Sequence, residues 1–145
     1  MKPLLVLIGL LLAACGSAPQ SHFGPVMDRA TLIDALRTRV AVDITGTLAQ
    51  PFLHPQSGTT VRLSGGGLAA PADVQLFEYS TAAAAADDAH QIRADGSGNS
   101  NTIVDWVAPP HFFLTGRVLV IYVGNDPGVV SLLSSLLGSQ FAGVI

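Results

Sequence analysis

The residues of this 145-residue chain with the means for chemistry are four histidines (His22, His54, His90 and His111), ten acids and one cysteine, Cys15. No two histidines stand three to five positions apart, as a helix needs in order to present two imidazoles to zinc, and no second thiol joins them. The hydrolytic signatures Gly-x-Ser-x-Gly and Ser-x-x-Lys are missing. Ser100, Asp105 and His111 supply a nucleophile, an acid and a base, and would form a triad only if the fold converged them. Asp95 to Asn101 (DGSGNSN) places oxygen side chains at alternate positions, in the manner of a calcium loop. Its sixth position is Ser100 where the tight turn needs glycine, and its twelfth is Trp106 where a bidentate glutamate is needed, so a polar loop is expected. Gly65-Gly66-Gly67 has no Lys-Ser/Thr and no helix after it, and reads as a turn rather than a phosphate cradle. No cofactor motif occurs.

The stretch Trp106 to Phe113 (WVAPPHFF) is the most informative one in the domain. Pro109 and Pro110 lack the N–H that a sheet ladder needs, so the segment is expected to leave the sheet and carry His111, Phe112 and Phe113 to a rim. On that reading Trp106, His111, Phe112 and Phe113 form a contact patch for a partner protein, a lipid surface or a ligand. The alternative is that the aromatics fold over one end of the core.

Charge narrows the partners. Lys2 is the only lysine, and without the first fourteen residues the chain keeps six arginines against ten acids, a formal charge of −4 in place of −3. Phosphate backbones attract the opposite sign, so no nucleic-acid partner is expected. Lys2, the apolar run Leu4 to Leu12 and the small residues Ala13 and Ala14 follow the order of a secretory signal, and the run is about half of the ~20 residues that span a bilayer. Leu12-Ala13-Ala14-Cys15 resembles the lipobox of bacterial lipoprotein precursors. The resemblance implies cleavage before Cys15, fatty acylation of its sulfur, and an extracytoplasmic protein anchored to a membrane through that lipid. The expected organisation is a signal peptide over 1–14, a lipidated terminus and Gly/Ser/Pro-rich linker over 15–25, and one globular domain over 26–145. With Cys15 as sole cysteine no intramolecular disulfide is available, and the core alone must hold the domain.

The elements that position these residues follow from periodicity. Asp28 caps an expected helix to about Val40, with Leu32, Ile33, Leu36 and Val40 on one face. Val42, Ile44 and Leu48 alternate with polar residues as a half-buried strand, Gly46 marking a bulge. Further strands are expected over 60–64, 74–79, 102–107 and 117–123, the last an almost unbroken apolar run that reads as central and covered on both sides. A helix from Ser80 or Thr81 to about Arg93 would turn Asp87, Asp88 and His90 outward, and a last helix follows the Asp126-Pro127 cap. The sum is a single α+β domain, a mainly antiparallel sheet of about five strands with about three helices packed on one face.

From about Thr31 to Gly143 the chain also resembles a group of small uncharacterised bacterial lipoproteins, through VQLFEY (Val74 to Tyr79), Ile92 to Gly96, WVAPPHFF, GRVLVIYVG (Gly116 to Gly124) and LGSQFAG (Leu137 to Gly143). That resemblance implies a class and a location but no chemistry. The functional expectation is a non-catalytic interaction or scaffolding module of the cell envelope. The alternative is a solute- or metal-binding lipoprotein or weak hydrolase using His111 and nearby acids.

Overall fold

The computed structural model describes residues 26–144. The leader, Cys15, the linker and His22 lie outside the described residues. The domain is one six-stranded antiparallel sheet with three helices, the α+β class read from the sequence. In chain order the elements are α1 (Arg29–Arg37), β1 (Ala41–Thr47), β2 (Ser57–Ser64), β3 (Ala72–Glu78), α2 (Ala82–Gln91), β4 (Pro110–Thr115), β5 (Val118–Val123), α3 (Pro127–Leu137) and β6 (Ala142–Gly143). The strands lie side by side as β1-β2-β3-β5-β4-β6.

Local chemistry sets the boundaries. The Asp28 carboxylate accepts from the Thr31 N–H while Thr31 Oγ1 accepts from the Asp28 N–H, a reciprocal box that satisfies two backbone donors at the start of α1. Thr81 caps α2 through the Ala84 N–H. Asp126 caps α3 ahead of Pro127, and Gly138, at φ 87°, ends it in a conformation strained for any residue with a Cβ. The bulge expected near Gly46 is present as a register shift against β2 between Ile44 and Gly46.

Side-chain alternation along β5 splits the core in two. Val118, Val120 and Tyr122 join Val61, Leu63, Val74, Leu76 and Phe113 under α1 and α3, whereas Leu119 and Ile121 join Phe77, Tyr79 and Phe112 on the opposite face under α2 and the Phe52-Leu53 loop. The helices therefore cover both faces, not one as expected. The physical reason lies in β5 itself: a strand apolar on both sides leaves a second face that has to be buried, and α2 offers the small residues Ala85 and Ala89 for close approach.

Two segments exchange roles relative to the sequence expectation. Residues 102–107 form no strand beyond the single bridge of Ile103 to Gly98. They run as a strap in which exposure alternates, with Val104 and Trp106 turned against the second core and Ile103 (74% exposed) and Val107 (100%) turned outward. The period of two is real, but the inward side chains dock on a face instead of extending the ladder. Pro110–Thr115, expected to leave the sheet, is β4. Pro110 opens the strand, where no ladder donor is asked of it, and the alternating His111, Phe112, Phe113 and Leu114 pair with β5 from Tyr122 to Leu119.

Candidate functional site

The patch formed by Trp106, His111, Phe112 and Phe113 is not assembled. Phe112 and Phe113 are fully buried on opposite faces of the sheet, as successive residues of a strand must be. Trp106 is half-buried: its Nε1–H donates to Gly96 O at 2.7 Å and its ring meets Phe52 and Phe112 edge-on, which makes it the fastening of the strap. His111 is buried and stacked on Tyr122 with ring centroids 5.8 Å apart. Its Nδ1 meets Gln140 Oε1 at 2.8 Å and its Nε2 meets Gly124 O at 3.1 Å, so neither nitrogen is left for Asp105, Ser100 or a substrate. The triad drawn from those three residues does not form.

The loop considered for calcium is likewise folded in on itself. Asp95 Oδ1 accepts from the Ser97 N–H, which, together with the Ser97 side chain, holds the carboxyl below its ordinary value. The buried Asn99 spends its Oδ1 on the Asn101 and Thr102 N–H groups. These are turn-forming bonds that remove oxygens from the set a cation would need. Among the described residues no group of three or more His, Cys, Asp or Glu side chains converges as a metal site.

One polar constellation escaped the sequence reading. Asp88, expected to face outward from α2, is buried and accepts from the Tyr79 hydroxyl at 2.9 Å, from the His54 N–H at 2.6 Å and from the His54 ring Nδ1 at 3.1 Å. Burial first, and then the hydrogen bond and charge of Asp88, push the Tyr79 phenol above its ordinary value. The His54 side chain is 74% exposed, so a buried carboxylate orients a largely exposed imidazole through its Nδ1. This is the orientation a general base requires, but among the described residues no hydroxyl, thiol or further imidazole is bonded to it. The constellation acts as a clamp holding the Phe52–Pro55 loop over the second core. His54 and Asp88 are 34 positions apart, and no spacing rule connects them.

A concave feature of the described residues lies elsewhere. Between α1 and the outer strands runs an open groove of about 450 Å³, lined by Arg29, Ala30, Ile33, Asp34, Arg37, Ile44 and Thr59. One wall is β1, the sheet's terminal strand, on which Ala41 and Asp43 to Thr47 are exposed and only Val42 is half-buried. Ile44 is 60% exposed, an apolar side chain presented to the groove. Arg29 is fixed at its end, its Nη1 donating to Thr59 Oγ1 at 2.8 Å and Ser57 Oγ at 3.2 Å with Nε 3.6 Å from Glu78. Arg37, with a 54% exposed side chain, reaches Asp34 at 3.8 Å. On the other face of the same strands Arg62 forks onto Asp73 with two 2.8 Å bonds, which lower the Asp73 carboxyl and raise the guanidinium.

Comparison of the chain with protein-family models, with curated proteins and with solved structures finds no match.

Proposed function

We propose that the chain is a non-catalytic interaction module of a bacterial cell envelope, stationed at a membrane by lipid on Cys15, and that it works by accepting an extended protein segment along β1. The observation that carries this reading is the uncovered edge. β1 is hydrogen-bonded to β2 on one side and, among the described residues, to no strand on the other. An antiparallel edge strand points alternate N–H and C=O groups away from its only partner, and the chemistry that satisfies such a row is another extended main chain. The register shift after Ile44 limits straight pairing to Ala41–Ile44, long enough for a short strand. Ile44 and Ile33 offer an apolar wall to the incoming side chains, and Arg37 at the rim favours an acidic residue among them. Catalysis or metal binding through His111 has no such support, since both ring nitrogens are already engaged.

Among the described residues no helix is long and apolar enough to cross a membrane, so attachment on this reading rests on the acyl chains. Two or more acyl chains on one residue anchor stably where a single one binds only reversibly. The test is a photo-crosslinking residue at Thr45 in the full chain, expressed in bacteria, with Val107 as a control position. The expected result is a protein adduct from position 45 that Ile44→Asp abolishes, whose crosslinked partner peptide, once synthesised, shifts the amide signals of Ala41–Ile44. Adducts to lipid alone, or equal adducts from Val107, would remove the strand-addition reading. Mass spectrometry showing an intact Met1 and a free Cys15 thiol would remove the tether.

A further inference from the structure

The hydrogen bonds of His111 do not balance for a neutral imidazole. Nδ1 lies 2.8 Å from Gln140 Oε1 and Nε2 lies 3.1 Å from the carbonyl oxygen of Gly124. Both partners are acceptors. Turning the Gln140 amide over would offer Nδ1 a donor, but the Nε2 of that amide is committed to Val144 O at 2.6 Å, and a carbonyl oxygen only accepts. A neutral ring has one N–H, so two bonds to acceptors require the doubly protonated ring.

The ring's position makes this consequential. His111 sits on β4 where β6 pairs with it, through His111–Gly143 and Phe112–Ala142. The tail is further held by Phe141 N–H to Phe112 O, Gly143 N–H to Ala94 O and Val144 N–H to Pro110 O. Through Gln140, His111 ties this tail to the β5–α3 connection at Gly124. We propose that His111 is a proton-operated latch: doubly protonated, it bridges Gln140 and Gly124 and tightens β6 on β4, and loss of one proton breaks one of the two bonds, loosening the tail so that the β4 edge opens more often to another strand.

The ring meets an aromatic face and few ionisable groups. The ring lies flat against Tyr122, at 18° between planes, so the π face of the phenol meets the imidazolium. Tyr122 is one titratable neighbour, and its hydroxyl accepts from the N–H of Asp126, the other. The Asp126 carboxylate caps α3 through the Gly128 N–H. Neither α3 nor the described tail 138–144 carries a titratable side chain, so no other side chain on those elements supplies an opposing charge.

Hydrogen exchange and ¹⁵N NMR on the full chain in detergent micelles test the latch. At pH 5 both His111 nitrogens should show the chemical shift of protonated imidazole nitrogen. Between pH 5 and pH 8 the protection factors of Phe141, Gly143 and Val144 should fall about tenfold, the loss of roughly one charge-assisted hydrogen bond, while those of the β3–β5 ladder stay constant. His111→Gln, which donates without titrating, should abolish the pH dependence, and Gln140→Leu should leave the tail weakly protected at both pH values. A bare ring nitrogen on His111 at pH 5, or tail protection that does not change with pH in the wild-type chain, would overturn the proposal.

Discussion

Replacing Asp88 by alanine is the sharpest test of the clamp on the second core. The carboxylate accepts three bonds, and they are not equal. The His54 ring is 74% exposed and regains water when its partner is removed, so that bond contributes little. The Tyr79 hydroxyl is buried with Asp88 and does not regain it, and the His54 N–H loses the acceptor that holds its loop. Hydrogen bonds to a charged group contribute about 1.5–3 kcal/mol each, and removing the buried charge recovers part of its desolvation, so Asp88→Ala should destabilise the domain by about 3 kcal/mol. For a domain of this size that is roughly 12 °C in melting temperature. Urea unfolding should show a lowered midpoint with unchanged slope. Tyr79→Phe alone should cost about 1.5 kcal/mol, and because the two groups bond each other the double variant should be less destabilised than the sum by about 1 kcal/mol. His54→Ala should cost under about 1 kcal/mol. Additive losses at Asp88 and Tyr79, or a loss at Asp88 no larger than at His54, would refute the assignment of the energy to the buried pair.

The Tyr79 phenol also sets an alkaline limit. Its folded value is raised above the ordinary 10.0, so the stability it contributes is fully present below that pH. Above it the unfolded chain ionises while the folded one does not, and stability falls as pH rises toward the folded value. The 295 nm absorbance step of Tyr79 should therefore coincide with loss of circular dichroism, and Tyr79→Phe should flatten the slope of stability against pH. In the core, Ile121 is fully buried on the central strand β5, and Ile121→Ala should cost about 2–5 kcal/mol in the same urea assay.

Asp28, Thr81 and Asp126 act within three residues of themselves, and their caps were legible because the partners are sequence neighbours. The β5 run was legible because burial on both sides needs no polar alternation. The segments 102–107 and 110–115 exchange roles because the first alternates as a strand does and the second opens with a proline pair, and only pairing with β5 separates a strand from a strap. Asp88 was misplaced for a related reason: a carboxylate on a short helix reads as solvated unless a distant loop brings it donors.

By itself the chain determined its class, its helix starts, its double-sided central strand and the expectation of a lipid handle at Cys15, since each depends on composition or on neighbours a few residues apart. Only the tertiary structure decided that α2 crosses to the other face, that His54 and Tyr79 meet Asp88, that His111 is held between two acceptors, and that β1 is left at an edge beside α1. Those outcomes depend on which surfaces remain to be buried once the sheet has formed, and that remainder is a property of the whole fold rather than of any local stretch.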